Sequence, residues 1–111
     1  MTEIRPATTE HFERIRSKPE KTARAFAVVR GKDVLGIGGV YRDGATLVMF
    51  SELTDELRKD KRSLVKLVRA VKPMLRPRTL ALADPDIEGS DVLLEHMGFE
   101  PLEGRIYQWH G

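Results

Sequence analysis

The chain has 111 residues, no cysteine and a formal charge of +2. Such a length holds one domain over residues 1–111, and 41% hydrophobic with 32% charged residues is the balance of a folded protein rather than a disordered tail. Without cysteine there is no disulfide framework, thiolate metal site or cysteine nucleophile, and no uncharged stretch approaches the roughly 20 residues of a bilayer span.

The elements follow in chain order. Thr2 to Arg5 predicts a short strand, stopped by Pro6, which fixes φ and lacks an amide donor. Thr8 and Thr9 offer N-caps for a helix through Ile15, with Phe12 and Ile15 on one face, and Ser17 to Glu20 closes it. Three strand-like runs come next: Ala25 to Val29, Val34 to Tyr41 and Ala45 to Leu53. Arg30-Gly31-Lys32-Asp33 and Arg42-Asp43-Gly44 read as hairpin turns, so the three runs form an antiparallel meander.

The period then changes. Leu64, Leu67, Val68, Val71 and Leu75 recur at three- and four-residue spacing, which predicts an amphipathic helix closed by Pro73 and Pro77. Thr79 to Ala83 is another strand, broken by Asp84-Pro85-Asp86. Ser90 or Asp91 caps a last helix with Leu93, Leu94 and Met97 inward, and Gly98 ends it. Arg105 to Trp109 is the final strand. The order β-α-β-β-β-α-β-α-β places strands on both sides of crossover helices. It predicts an α+β protein with a mixed central sheet flanked by helices. The expected core is Phe26, Val28, Leu35, Ile37, Leu47, Met49, Leu64, Leu67, Val68, Val71, Leu80, Leu82, Leu93, Met97 and Phe99.

Charge is distributed unevenly. Arg58 to Arg78 holds nine basic residues and one acid, Asp60, for a local charge of +8, while the remainder holds ten basic and sixteen acidic residues and carries −6. A basic segment on an acidic protein calls for an anionic partner: a phosphate-bearing cofactor, nucleic acid or an acidic protein surface. No aromatic residue lies between Phe50 and Phe99 to stack bases, which ranks nucleic acid last. His11, His96 and His110 have no metal-ligand spacing, so no metal is expected. The N-terminus lacks the basic, apolar, small-residue order of a signal peptide, so a cytoplasmic protein without membrane association is expected.

Three segments together resemble the GCN5-related N-acetyltransferase (GNAT) family. They are the opening IRPATTEHFERI at Ile4 to Ile15, the strand-loop-helix unit from Ala45 to Leu75, and SDVLLEHMGFEP at Ser90 to Pro101, a late helix ending in Gly-Phe. The chain is short for the family, with one helix between the first two strands, and in length and opening it is similar to phage-encoded members, whose place would be a host cytoplasm. The resemblance implies the GNAT fold and acetyl-coenzyme A as cofactor. It also implies an N-acetyltransferase acting on a protein or small amine, as a monomer or homodimer.

Residue by residue, the resemblance implies a sheet that parts near Leu53, with a cofactor cleft above Arg58 to Ser63. Leu53 stands at the strand end, its backbone N–H facing the thioester, with Thr54 and Asp55 beside the pantetheine arm. The family binds pyrophosphate on Arg/Gln-x-x-Gly-x-Gly/Ala before its central helix. Here Arg58 takes the first place, Lys61 and Ser63 replace the two glycines, and Lys59 and Arg62 add charge. A helix N-terminus suits such an anion through its free amides and dipole.

The reaction needs a base for the amine and a donor for the departing thiolate. Leu47 stands where some members carry a glutamate base, and Leu94 where many carry a tyrosine acid. The remaining candidates are Ser51, on the face of Leu53, His96 on the last helix, and Tyr107 on the last strand. Glu52 points to the opposite face by strand alternation. The alternative is a catalytically inactive GNAT-fold protein, virion-associated or binding a host protein.

Overall fold

The computed structural model describes residues 2–15, 23–83 and 90–110. Seven strands form one sheet: β1 (Thr2–Pro6), β2 (Arg24–Arg30), β3 (Asp33–Asp43), β4 (Thr46–Leu53), β5 (Leu80–Leu82), β6 (Phe99–Glu103) and β7 (Ile106–Trp109), in spatial order β1-β2-β3-β4-β5-β7-β6. The helices are α1 (Thr9–Arg14), α2 (Asp55–Lys59), α3 (Lys61–Val71) and α4 (Ser90–Met97), with a 3-10 turn at Lys72–Met74. β1 to β4 form the expected antiparallel meander. β5 joins β4 in parallel, and β7 joins β5 and β6 antiparallel, so the sheet is mixed and the class α+β.

Local chemistry sets the element ends. Gly31 and Gly44 turn the two hairpins at φ of 60° and 63°, a region that disfavours side chains. The Thr8 hydroxyl accepts the His11 N–H, and the His11 Nδ1 accepts the Thr8 N–H, a reciprocal cap for α1. Pro73 ends regular α-helix at Val71, and the chain tightens into the 3-10 turn.

Each sheet face has its own apolar layer. On one, Val28, Val40 and Met49 pack with Leu67, Val71 and Leu75, and with Met97 and Phe99 beyond. On the other, Phe12 of α1 packs with Ala27, Val29 and Ile37, and its ring stacks on Phe50 at 6.2 Å. Gly38 lets α3 lie close: a Cβ there would stand 3.3 Å from Leu67 Cδ2. No helix among the described residues is long and apolar enough to cross a membrane.

The structure departs from the expected elements and core at several places. The segment expected as a loop at Arg58 to Ser63 is helical on both sides of Asp60. An additional strand, β6, follows α4 directly. Leu82 is 63% exposed rather than core, because Ala81 takes the inward place on β5. Leu57 and Val40 are buried core residues absent from the expected set, while Leu75 and Leu94 are buried as their helical spacing implies. The closing of α1 at Ser17 to Glu20 and the break at Asp84 to Asp86 lie outside the described residues, as do the Ser90 and Asp91 side chains.

Candidate cofactor cleft

Val48 and Leu80 form the one register pair between β4 and β5. β4 continues for five residues beyond it, Met49 to Leu53, paired among the described residues only to β3. Alternate residues of such a strand turn their N–H and C=O groups to opposite edges. The far edge of this stretch therefore presents backbone donors and acceptors to a gap. The sheet parts as expected, but already after Val48 rather than near Leu53.

The gap is a cleft of about 580 Å³. Leu64, Leu67 and Val68 of α3, Leu82, Ala83 and Arg105, and Leu93, Leu94 and Met97 of α4 line it together with β4. Side-chain alternation on β4 sends Ser51 and Leu53 to the α3 face and Phe50 and Glu52 to the α1 face. Tyr41 sits beside Phe50, with ring centroids 5.8 Å apart. All five line the cleft, so it opens to both faces of the sheet.

At the cleft mouth the chain leaves β4 through a cap. The Thr54 hydroxyl donates to the Leu35 carbonyl (2.6 Å) and accepts the Leu57 N–H (3.3 Å), while the Thr54 N–H bonds the Leu35 carbonyl. Asp55 is exposed and pairs with Arg58 Nη1 at 2.8 Å. Arg58 Nη2 donates to the Leu53 carbonyl at 2.9 Å. Arg58 Nε is buried without a hydrogen-bond partner among the described residues. Lys59, Lys61 and Arg62 are exposed.

Asp60 caps α3. Its carboxylate accepts the Ser63 N–H at 3.1 Å and the Ser63 hydroxyl at 2.8 Å. Ser63 is buried, and with its proton on Asp60 its oxygen accepts from the Thr2 hydroxyl of β1 at 2.8 Å. Arg30 of β2 pairs with Asp60 at 3.5 Å and also with Glu56. The Ser63 hydroxyl and N–H hold the Asp60 carboxyl below the usual carboxylate range, with smaller help from Arg30 and Arg62 and opposition from desolvation. A donor at this helix start that could face a bound anion already has a carboxylate on it.

The three candidate catalytic side chains do not converge. Ser51 lines the cleft. His96 is exposed on α4, and Tyr107 is packed in the core beside Ala81; neither is among the cleft-lining residues. Two polar residues that line the cleft, Tyr41 and Arg105, were not singled out from the sequence. Nothing local to them announces the role, because both reach the cleft only through the way β4 and β5 part. Glu52 has the orientation expected of it, and the opening of the cleft to that face is what makes it available.

This fold is shared with known structures. A GNAT-family acetyltransferase from Staphylococcus aureus Mu50 matches with a TM-score of 0.67, at 11% identity, over 98% of each chain. KacTA in a DNA complex matches with a TM-score of 0.59, at 13% identity, over 98% of this chain and 92% of that one. AtaTR bound with AcCoA matches with a TM-score of 0.59, at 14% identity, over 97% and 92%. No protein-family model matches the chain, and no curated protein matches its sequence. The parted mixed sheet, with α3 on one face and α1 on the other, is the GNAT fold.

Proposed function

We propose that the cleft binds an acyl-coenzyme A, acetyl-coenzyme A first among them, and that the chain passes its acyl group to an amine on a protein or small molecule. The unpaired edge of Met49 to Leu53 carries this proposal. An extended ligand bearing amides, as the pantetheine arm does, can complete that edge as an added strand would. The cleft volume lies within the roughly 300–1,000 Å³ of small-molecule sites. The orphaned Arg58 Nε supports the same reading, since a buried donor without a partner costs about 1–3 kcal/mol and a ligand acceptor would satisfy it.

The residues fit the cofactor without the glycine pattern, since Lys61 and Ser63 stand where its two glycines would be. Asp60 occupies the Ser63 N–H, so the phosphates would be held chiefly by the charges of Lys59, Lys61 and Arg62. Bound there, the cofactor supplies an acyl thioester. Glu52, on the α1 face with Tyr41 and Phe50, accepts the proton of the entering amine. Ser51, on the opposite face, holds a hydrogen bond to the acyl end of the cleft. His96 and Tyr107 stay outside the chemistry.

A second reading has its own observation. The Asp60 carboxylate on the helix N-terminus, with Leu47 and Leu94 where the family carries its base and acid, favours a scaffold that binds a protein without turnover. Calorimetric titration with acetyl-coenzyme A, followed by thiol release in the presence of amine acceptors, separates the two. Binding with thiol release that Glu52→Gln abolishes supports transfer. Binding without release supports the scaffold, and no binding at millimolar cofactor overturns the cofactor site itself.

A further inference from the structure

Where the cleft opens to the α1 face, two apolar side chains face each other across the gap. Val48 and Leu80 are in parallel register, and two places beyond them stand Phe50 on β4 and Leu82 on β5. Both belong to the α1 face, because their neighbours Met49 and Ala81 join the core on the other. Phe50 is held by the Tyr41 ring at 5.8 Å and the Phe12 ring at 6.2 Å. Leu82 is 63% exposed and belongs to neither core layer.

Three charged residues are among the described residues that line the cleft: Glu52, Arg58 and Arg105. Arg58 is engaged by Asp55 and by the Leu53 carbonyl. Glu52 and Arg105 are exposed, and neither forms a salt bridge with another described residue. Glu52 follows Phe50 on the same face of β4. The Arg105 carbonyl accepts the Ala83 N–H at 2.9 Å, which sets Arg105 beside the end of β5, close to Leu82 in the chain. The cleft therefore offers one carboxylate at the β4 edge, one guanidinium beside the β5 edge, and an apolar residue on each of those strands.

We propose that the acceptor is a free amino acid with a large apolar side chain. Its ammonium meets Glu52, its carboxylate meets Arg105, and its side chain lies between Phe50 and Leu82. The proposal deepens the acyl-transfer reading and rests on it for the role of Glu52. A guanidinium takes a carboxylate through two parallel N–H donors, so Arg105 suits that end of the molecule. A protein lysine leaves Arg105 without a carboxylate, and a polyamine sets a second ammonium against it. A zwitterion meets an opposite charge at each end. In the transfer, the ammonium gives one proton to Glu52 and the neutral nitrogen bonds to the acyl carbon. The C–S bond breaks, and a second nitrogen proton ends on the departing sulfur. The products are an N-acyl amino acid and the free thiol.

Calorimetric titrations of the full chain, with and without saturating coenzyme A, test the proposal. The ligands are phenylalanine, 2-phenylethylamine, glycine and a lysine-bearing peptide. Phenylalanine should bind about tenfold more tightly than 2-phenylethylamine, which lacks only the carboxylate; that is the low end for a hydrogen bond to a charged group. Arg105→Ala should erase this ratio, and Arg105→Lys should restore part of it. Leu82→Ala should narrow the preference for phenylalanine over glycine. Matching melting curves establish that the variants fold. No binding of phenylalanine at millimolar concentration, equal affinity for phenylalanine and 2-phenylethylamine, a ratio that survives Arg105→Ala, or preference for the peptide overturns the proposal. Failure of coenzyme A to bind is a separate result: it overturns the cofactor reading, while the titrations without coenzyme A still decide the amino-acid site. Selective phenylalanine binding without thiol release from acetyl-coenzyme A upholds the site and overturns acyl transfer.

Discussion

Asp60 holds Ser63 through two hydrogen bonds, one from the backbone N–H at 3.1 Å and one from the hydroxyl at 2.8 Å, and Ser63 in turn reaches Thr2 on the first strand at 2.8 Å. The start of α3 is thereby tied to the edge of the sheet through one carboxylate. Those bonds hold the Asp60 carboxyl below its unperturbed 3.8. A carboxyl depressed in the folded state stabilises above its unfolded pKa and loses that contribution as pH falls through the folded value. Asp60→Asn should therefore melt below the wild type at neutral pH, and the gap should close as pH falls below 3.8. Paired thermal melts across acid pH check this, and a gap independent of pH would contradict it.

The same carboxylate bears on how the phosphates of the proposed cofactor would be held. With the Ser63 N–H engaged, charge outweighs backbone amides, and Lys61→Gly should weaken coenzyme A binding by about threefold, the size of one exposed charge contact. Its salt dependence should flatten as well, because exposed charges are screened within about 10 Å at 0.1 M. Tighter binding by Lys61→Gly in calorimetry would show that amide geometry governs the site.

Gly39 and Gly38 are neighbours with different tolerances. A Cβ at Gly39 would lie 2.2 Å from the Arg24 carbonyl oxygen and 2.6 Å from Ala25 Cα, backbone of β2 that cannot step aside alone. At Gly38 the nearest atom is the end of Leu67, at 3.3 Å. Gly39→Ala should cost about 1–3 kcal/mol or more, and Gly38→Ala clearly less. Urea denaturation ranks them, and equal costs would contradict the packing described.

Leu67 is 3% exposed and packs on Gly38 between the sheet and α3. Leu67→Ala should cost about 2–5 kcal/mol, as truncations of buried leucine do. A cost near zero by denaturant unfolding would mean that this face of α3 is not buried.

The positions of His96 and Tyr107 lead to a further expectation. His96→Ala and Tyr107→Phe should leave turnover unchanged, whereas Glu52→Gln should lower it about 100-fold or more, the usual worth of a general base. Steady-state thiol release compares them, and a loss at His96 matching that at Glu52 would place α4 in the chemistry.

The meander was legible because Gly31 and Gly44 punctuate it and the apolar runs alternate between them. α3 was legible because Leu64, Leu67, Val68 and Val71 keep one period. β6 was not, since every residue after Phe99 is exposed and Pro101 interrupts the pattern. α2 is five residues long, too short to show a period; its signals were Thr54 as cap and acids before bases. Leu82 reads as core by hydropathy alone, but the α1 layer covers β2 and β3 and leaves its face of β5 open. The cleft depends on where β4 and β5 cease to pair, a relation between Val48 and Leu80 with no local trace.

The cofactor cleft is tested most directly by amide-resolved NMR during titration with acetyl-coenzyme A. Saturable shifts should concentrate at Met49 to Leu53, along the unpaired edge of β4, and at Lys59 to Ser63, with β1 and the β6–β7 turn undisturbed. Shifts absent at millimolar cofactor, or confined to residues away from β4, would contradict it.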